Sequence, residues 1–218
     1  LLLGFEGADE DASPLRAALD RARALCSAHG AVEVSDPRVR DEQGGGRDAH
    51  AGSWREAFVG APYLQSALVT LGVVADTFET ACTWQAFPAL HAAVTRAALD
   101  AMGALCGGGR ITCRFTHVYP DGPAPYYTFL APPPKGASLL EAWAQIKRAV
   151  SDALLASGGT ITHHHAVGRT HRPWYDRQRP EPFALALRAA KRALDPAWEL
   201  NPGVLLDEKL DEKLDSET

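Results

Sequence analysis

The sequence predicts an α+β fold of ferredoxin-like type, an antiparallel sheet with helices on one face. Two observations carry this. The chain traces two β-α-β halves, and a Pro120-Asp121-Gly122-Pro123 turn joins two strand-like stretches into an antiparallel hairpin. A third makes a proper core feasible: 46% of the 218 residues are hydrophobic.

The first strand is read in Leu1-Leu2-Leu3-Gly4-Phe5-Glu6-Gly7. Such an apolar opening without a methionine is expected of a piece of something longer. Ser13 and Pro14 then form an N-cap and N1 pair. Leu15, Ala18, Leu19, Ala22 and Leu25 or Cys26 recur at helical spacing until Gly30. A short strand over 31–34 closes the first half. Residues 36–53, with Gly44-Gly45-Gly46, read as a mobile loop. Residues 54–59 look like a short helical turn, Pro62 opens another through Leu71, and Gly72 ends it.

The second half begins with a strand over 73–80, followed by an alanine- and leucine-rich helix from about 87 to 104, broken by Gly107-Gly108-Gly109. Residues 110–119 alternate as a strand. Ile111, Cys113, Phe115 and His117 fall on one face, and Thr112, Arg114, Thr116 and Val118 on the other. The return strand covers 125–130. Pro132-Pro133-Pro134 is a stiff break, and a helix from 138 to about 156 ends at Gly158-Gly159. A strand carrying His163-His164-His165 should follow, then a last helix over 182–194 closed by Asp195-Pro196, and an Asn201-Pro202-Gly203 turn. One domain, 1–206, is expected. Residues 207–218 form a polar tail in which a Leu-Asp-Glu-Lys unit repeats.

Charge and cysteine usage narrow the function. A net charge of −5 and a pI near 5.9 argue against a nucleic-acid partner. No apolar run approaches the roughly 20 residues of a membrane span. Cys26, Cys82, Cys106 and Cys113 lack metal-type spacing and read as reduced thiols of a cytosol-like compartment.

The histidine triplet concentrates the chemistry. On a strand, His163 and His165 would share one face and His164 the other. Three adjacent histidines so placed cannot converge on one ion, and no HxxxH lies nearby, so no metal site is expected. An acid/base site fits better. Tyr126 or Tyr127 should reach the side of the histidines, and a phenol beside an imidazole can shuttle a proton. Arg114 lies on the partner strand of the hairpin. Arg169, His171 and Arg172 add positive charge for a phosphate or carboxylate, or make a solvated basic loop.

Taken together, the run Gly158-Gly159-Thr160-Ile161-Thr162-His163-His164-His165-Ala166-Val167-Gly168-Arg169 resembles the histidine-triplet segment of alkyldihydroxyacetonephosphate synthases. These are FAD-linked oxidases of the vanillyl-alcohol oxidase type. Further similarity lies in Ala61-Pro62-Tyr63-Leu64, in residues 76–80 with Trp84, in residues 113–119, and in Leu194-Asp195-Pro196 with Asn201-Pro202-Gly203. The resemblance implies the C-terminal substrate or cap domain of such an enzyme, inactive alone, with FAD held mainly by an N-terminal domain outside these residues. It implies Tyr126 as the acid/base that takes a proton from the dihydroxyacetone carbon of an acylated substrate. The flavin then acts as an electrophile, a fatty acid leaves and a fatty alcohol adds. His163, His164 and His165 would hold the tyrosine and substrate. Gln65, Arg114 and Arg169 would be substrate-binding, and Asn201 cofactor-binding.

The chain departs from the family at Gln65, where a substrate-binding arginine is usual, and at Ala166, where a glycine is usual. The first departure keeps a second reading open, an FAD-dependent 2-hydroxy-acid or alcohol oxidoreductase. A third is a non-catalytic binding domain of the same fold. The partners implied are the protein's own FAD-binding domain and a small-molecule or lipid substrate, with peripheral membrane contact and a homodimer left open.

Overall fold

In the computed structural model of the chain, the described residues are 3–5, 11–34 and 49–206. They form six helices and three strands in the order α1 (Ser13–Ala28), α2 (Ala49–Thr70), β1 (Val74–Glu79), α3 (Phe87–Cys106), β2 (Arg110–Val118), β3 (Pro123–Ala131), α4 (Leu139–Ala156), α5 (Gly168–Gln178) and α6 (Glu181–Leu194). The chain divides into two compact units, Leu1–Ala61 and Pro62–Thr218.

In the first unit, α1 begins one residue earlier in its capping than the sequence suggested. Ala12 is the N-cap, and the Asp11 carboxylate accepts the Ser13 N–H at 2.9 Å. Hydrogen bonding from Ser13, its side chain first and then this N–H, holds Asp11 below the usual carboxylate range. The strand expected over 31–34 is not formed: Val32 and Val34 are exposed, and among the described residues no strand neighbours them to receive their backbone groups. Residues 3–5 also carry no ladder, and the rest of the opening strand lies outside the described residues. So do residues 36–48 of the expected loop and the tail 207–218.

The two short helical turns expected around Pro62 are one helix, α2, of 22 residues. Alanine- and leucine-rich flanks of high helix propensity carry it through the proline. It stops where Gly72 adopts φ +83°, the left-handed conformation that lets the Val73 N–H reach back to Leu68 O at 3.0 Å.

The sheet of the second unit is antiparallel throughout, in the order β1-β3-β2. Register decides which side chains meet. Phe78 and Cys113 flank Tyr127, whereas Glu79 and Arg114 flank Tyr126. The first set faces the core, where Val74, Phe78, Tyr127, Phe129 and Ala131 pack on α3 and α4. Those helices bury residues four apart: Leu90, Val94, Ala98, Met102 and Cys106 in α3, and Ala142, Ile146, Val150 and Leu154 in α4. Helix α4 opens on a full capping box, Ser138 with Glu141. The α+β expectation with helices on one face therefore holds.

Two differences shape the site. A bulge at Thr116 separates Phe115, opposite Pro125, from His117, opposite Ala124. His117 thus leaves the face of Cys113 and joins that of Arg114, contrary to simple alternation. The second concerns the histidine strand. Residues 159–167 form no ladder but a bent segment, stitched by Thr160 N–H to Ala81 O (3.0 Å) and Ala81 N–H to Thr160 Oγ1 (2.8 Å). It passes so close to β1 and α3 that a Cβ at Gly159 would lie 2.7 Å from Leu90 Cδ1 and 2.8 Å from Thr80 Oγ1.

Helix α5 has no counterpart among the expected elements; its glycine start and internal Pro173 are breakers by residue type. Tertiary bonds hold it instead. Trp174 Nε1 donates to Asp152 of α4 at 2.7 Å, and Gln178 bonds both Ile161 N–H (2.9 Å) and Gly159 O (2.8 Å). Helix α6 fits its expected span within a residue and closes on Asp195, which accepts the N–H groups of Glu199 and Leu200 at 3.0 Å. No helix among the described residues is long and apolar enough to cross a membrane.

Candidate active site

Glu79 ends β1 on the sheet face turned away from α3 and α4, with only 3% of its surface exposed. A carboxylate so buried needs partners, and it has them. The Thr116 hydroxyl, placed by the bulge, donates to Oε1. His163 Nδ1 lies 3.0 Å from the same oxygen, and His165 Nε2 lies 3.7 Å from Oε2. His117 Nδ1 is 3.9 Å away, too far for a hydrogen bond. The carboxylate fixes the His163 tautomer: Nδ1 carries the proton toward Glu79, leaving the Nε2 lone pair outward. Tyr119 Oη lies 3.2 Å from that Nε2.

Tyr119 is held from three sides. Its N–H donates to Gly122 O at 2.9 Å, its carbonyl accepts Trp84 Nε1 at 3.1 Å, and its ring stacks on His117 at 5.7 Å. The turn that positions it presses on the 80–84 segment, where a Cβ at Gly122 would fall 1.8 Å from Cys82 O. Only glycine fits there.

The triplet itself is a tight turn. His165 N–H bonds His163 O at 2.7 Å, and His164 adopts φ +55°, rare for a residue with a side chain. That conformation brings the His164 ring back onto its neighbours, 4.3 Å from His163 and 4.4 Å from His117. Alternation therefore does not keep the histidines apart, since the segment is not a strand. His117, His163 and His164 each offer a nitrogen, all within 4.8 Å of one another. Both His163 nitrogens, however, already have partners in Glu79 and Tyr119.

Tyr126 meets the other end of the triplet. Its ring stands edge-on to His165 at 5.4 Å, and the Arg114 guanidinium lies 4.6 Å over its face. Burial pushes the His165 imidazole below its ordinary value, opposed by the Glu79 carboxylate. His165 also lines a hollow of ≈ 300 Å³ with Asp76, Trp143, Lys147, Thr170 and His171. In it Lys147 pairs with Asp76 at 3.2 Å, and Asp76 accepts Trp143 Nε1 at 2.7 Å.

Of the residues expected at the site, the structure thus brings together Tyr126, Arg114, His163, His164 and His165. Gln65 reaches the hollow's rim, donating to Ala75 O (3.1 Å) and Asp76 Oδ1 (3.4 Å). Arg169 and Asn201 belong to a separate set of contacts: Arg169 Nη2 donates to Pro202 O at 2.7 Å, beside Asn201 at φ +49°. Sequence reasoning assigned no role to Glu79, Tyr119 or His117. Period-2 alternation past the core residue Phe78 was the available signal for Glu79.

A strand-end carboxylate, a folded-back histidine triplet and a tyrosine under a guanidinium thus gather on a helix-backed sheet, groups whose chemistry suits proton transfer. The chain belongs to the family described as FAD linked oxidases, C-terminal domain, which matches residues 1–205. It is 31% identical over 163 residues to the alkyldihydroxyacetonephosphate synthase of Trypanosoma brucei brucei, covering 74% of this chain and 26% of the relative. With the protein of that name from Caenorhabditis elegans it shares 30% over 141 residues, covering 62% and 23%. A solved alkyldihydroxyacetonephosphate synthase structure superposes with a TM-score of 0.53 at 15% identity, over 84% of this chain and 27% of the other. The chain thus spans about a quarter of the length of the relatives it matches.

Proposed function

We propose that this chain is the substrate-side domain of an FAD-dependent enzyme of the alkyldihydroxyacetonephosphate synthase type, which exchanges the acyl group of acylated dihydroxyacetone phosphate for a fatty alcohol in ether-lipid synthesis. The observation that carries the reading is Tyr126, set edge-on to His165 beneath the Arg114 guanidinium. Its phenol oxygen is the base that takes the carbon-bound proton of the substrate and later returns it. Arg114 stands where it offsets negative charge on that ring. His165, pushed by burial toward its neutral form, orients Tyr126 without adding a competing positive charge.

The site suits the polar edge of a flavin. Imidazoles, phenols and one guanidinium supply donors and planar surfaces, whereas a cradle for the diphosphate is not found among the described residues, so the N-terminal FAD-binding domain is the expected partner. When bound, the flavin supplies an electrophilic ring beside the substrate carbon.

The test uses the full-length, flavin-loaded protein with acylated dihydroxyacetone phosphate and isotopically labelled fatty alcohol. Labelled ether is expected, and Tyr126→Phe should reduce it on the order of 10²–10⁴-fold. No exchange, together with flavin bleaching by hydroxy acids, would favour the oxidoreductase reading instead. Gln65 gives that second reading its weight, since its amide is engaged with Ala75 and Asp76 and offers no cationic grip. Gln65→Arg is expected to strengthen binding of phosphorylated over unphosphorylated substrate about tenfold, measured as the ratio of their KM values. An unchanged ratio would exclude position 65 as a phosphate contact.

A further inference from the structure

We infer that Tyr119, His163 and Glu79 form a second acid/base unit, which takes the hydroxyl proton of the incoming alcohol while Tyr126 handles the carbon-bound proton. The inference rests on the reading above and deepens it. Acyl-for-alkyl exchange moves two different protons. One leaves a carbon and returns to it; the other leaves the alcohol oxygen as the ether bond forms. A single phenol engaged with the first is poorly placed to hold the second.

The geometry separates the two tasks. Tyr126 contacts His165 and Arg114, whereas Tyr119 contacts His163 and His117. Tyr119 Oη is 3.2 Å from His163 Nε2, and His163 Nδ1 is 3.0 Å from Glu79 Oε1. A hydroxyl on an imidazole oriented by a carboxylate is the arrangement that makes a hydroxyl a proton acceptor. Glu79, itself anchored by Thr116, touches no reacting atom and is a positioning residue.

In the exchange proposed, the carbon–oxygen bond to the acyl group breaks with its electron pair leaving on the carboxylate, and the alcohol O–H bond breaks as its oxygen forms the ether bond to the same carbon. The alcohol proton passes to Tyr119 Oη while the Tyr119 proton passes to His163 Nε2. The resulting imidazolium is held by Glu79. It returns its proton through Tyr119 to the medium, which also receives the fatty acid released as carboxylate. No electrons change hands.

The experiment uses the full-length, flavin-loaded protein and two readouts: solvent deuterium exchange at the substrate carbon without alcohol, and ether formation with it. Tyr119→Phe, which removes one exposed hydroxyl, should lower ether formation on the order of 10²–10⁴-fold beyond any loss in carbon exchange. Tyr126→Phe should lower both together. A fluorinated alcohol, more acidic and less dependent on a base, should recover much of the ether rate in Tyr119→Phe and in Glu79→Gln. Glu79→Asp, which keeps the charge, should lose less than Glu79→Gln with the ordinary alcohol. Equal losses in the two readouts for Tyr119→Phe, or equal losses with both alcohols, would overturn the relay. A wild-type protein that forms no ether removes the synthase reading, and the relay with it.

Discussion

The domain contains two tyrosine–histidine pairs of the same length, one on each face of its sheet. On the core face, Tyr127 Oη lies 3.2 Å from His91 Nδ1; on the other, Tyr119 Oη lies 3.2 Å from His163 Nε2. Their surroundings differ. Tyr127 is wholly buried, stacked on Phe78 at 4.9 Å, and burial pushes its phenol far above the ordinary value. His91 sits between the rings of Phe87 and Tyr127. Tyr119 is 38% exposed, and its histidine rests on a buried carboxylate. On the proposed reading, the same hydrogen bond is a packing device where it is sealed and a proton path where a carboxylate backs it at the surface.

The sharpest way to break this comparison is to remove the rings. Tyr127→Ala should cost this chain on the order of 3–5 kcal/mol in urea unfolding, as expected for a large aromatic cut from a packed core. Tyr119→Ala, at the surface, should cost less than about 1 kcal/mol. Similar losses at the two positions would show that the pairs are alike. The subtler exchange, Tyr127→Phe, keeps the packing and removes only the hydroxyl's bonds to His91 and Cys113, for a loss of about 1 kcal/mol. Ether formation by the full-length protein should be unchanged in that variant. A large activity loss in Tyr127→Phe would place the core pair in the chemistry and erase the distinction.

That Tyr126 and Tyr127 part company was legible in the sequence, because neighbours on a strand face opposite ways. The hairpin and the sheet-packing helices could be read for the same reason: periodicity and turn chemistry are local. The choice of Tyr126 as the partner of the triplet came from the family resemblance. What could not be read was set by contacts distant along the chain. Glu79 and His163 are 84 positions apart, and only the fold brings them to 3.0 Å. The bulge at Thr116 reverses His117, and nothing in the residue types around it signals an extra residue in the ladder. The histidine strand failed because Thr80 and Gln178 bind its backbone with side chains, and His164 adopts a conformation its residue type disfavours. Helix α5 was hidden by Pro173 and rescued by Trp174 and Gln178.

The smallest expected effect sharpens the contrast between sealed and working histidines through pH. Burial pushes both His165 and His171 below their ordinary values, with Lys147 acting in the same direction on each. For an imidazole depressed in the fold, the unfolded chain takes up the proton first as pH falls. The stability held by neutral His165 and His171 is therefore complete above the ordinary histidine value of about 6.5, and is lost as pH drops through their lower folded values. The unfolding free energy of this chain should fall between about pH 7 and pH 5, by at most about 1.4 kcal/mol per pH unit for each proton taken up, and the urea midpoint with it. His171 Nδ1 lies 3.1 Å from Val167 O, a bond that an amide can replace, so His171→Gln should keep the fold and shallow the slope. His165→Gln should shallow it as well. A wild-type midpoint that stays flat over this range, or a slope that both variants leave intact, would show that neither imidazole is held neutral by its burial.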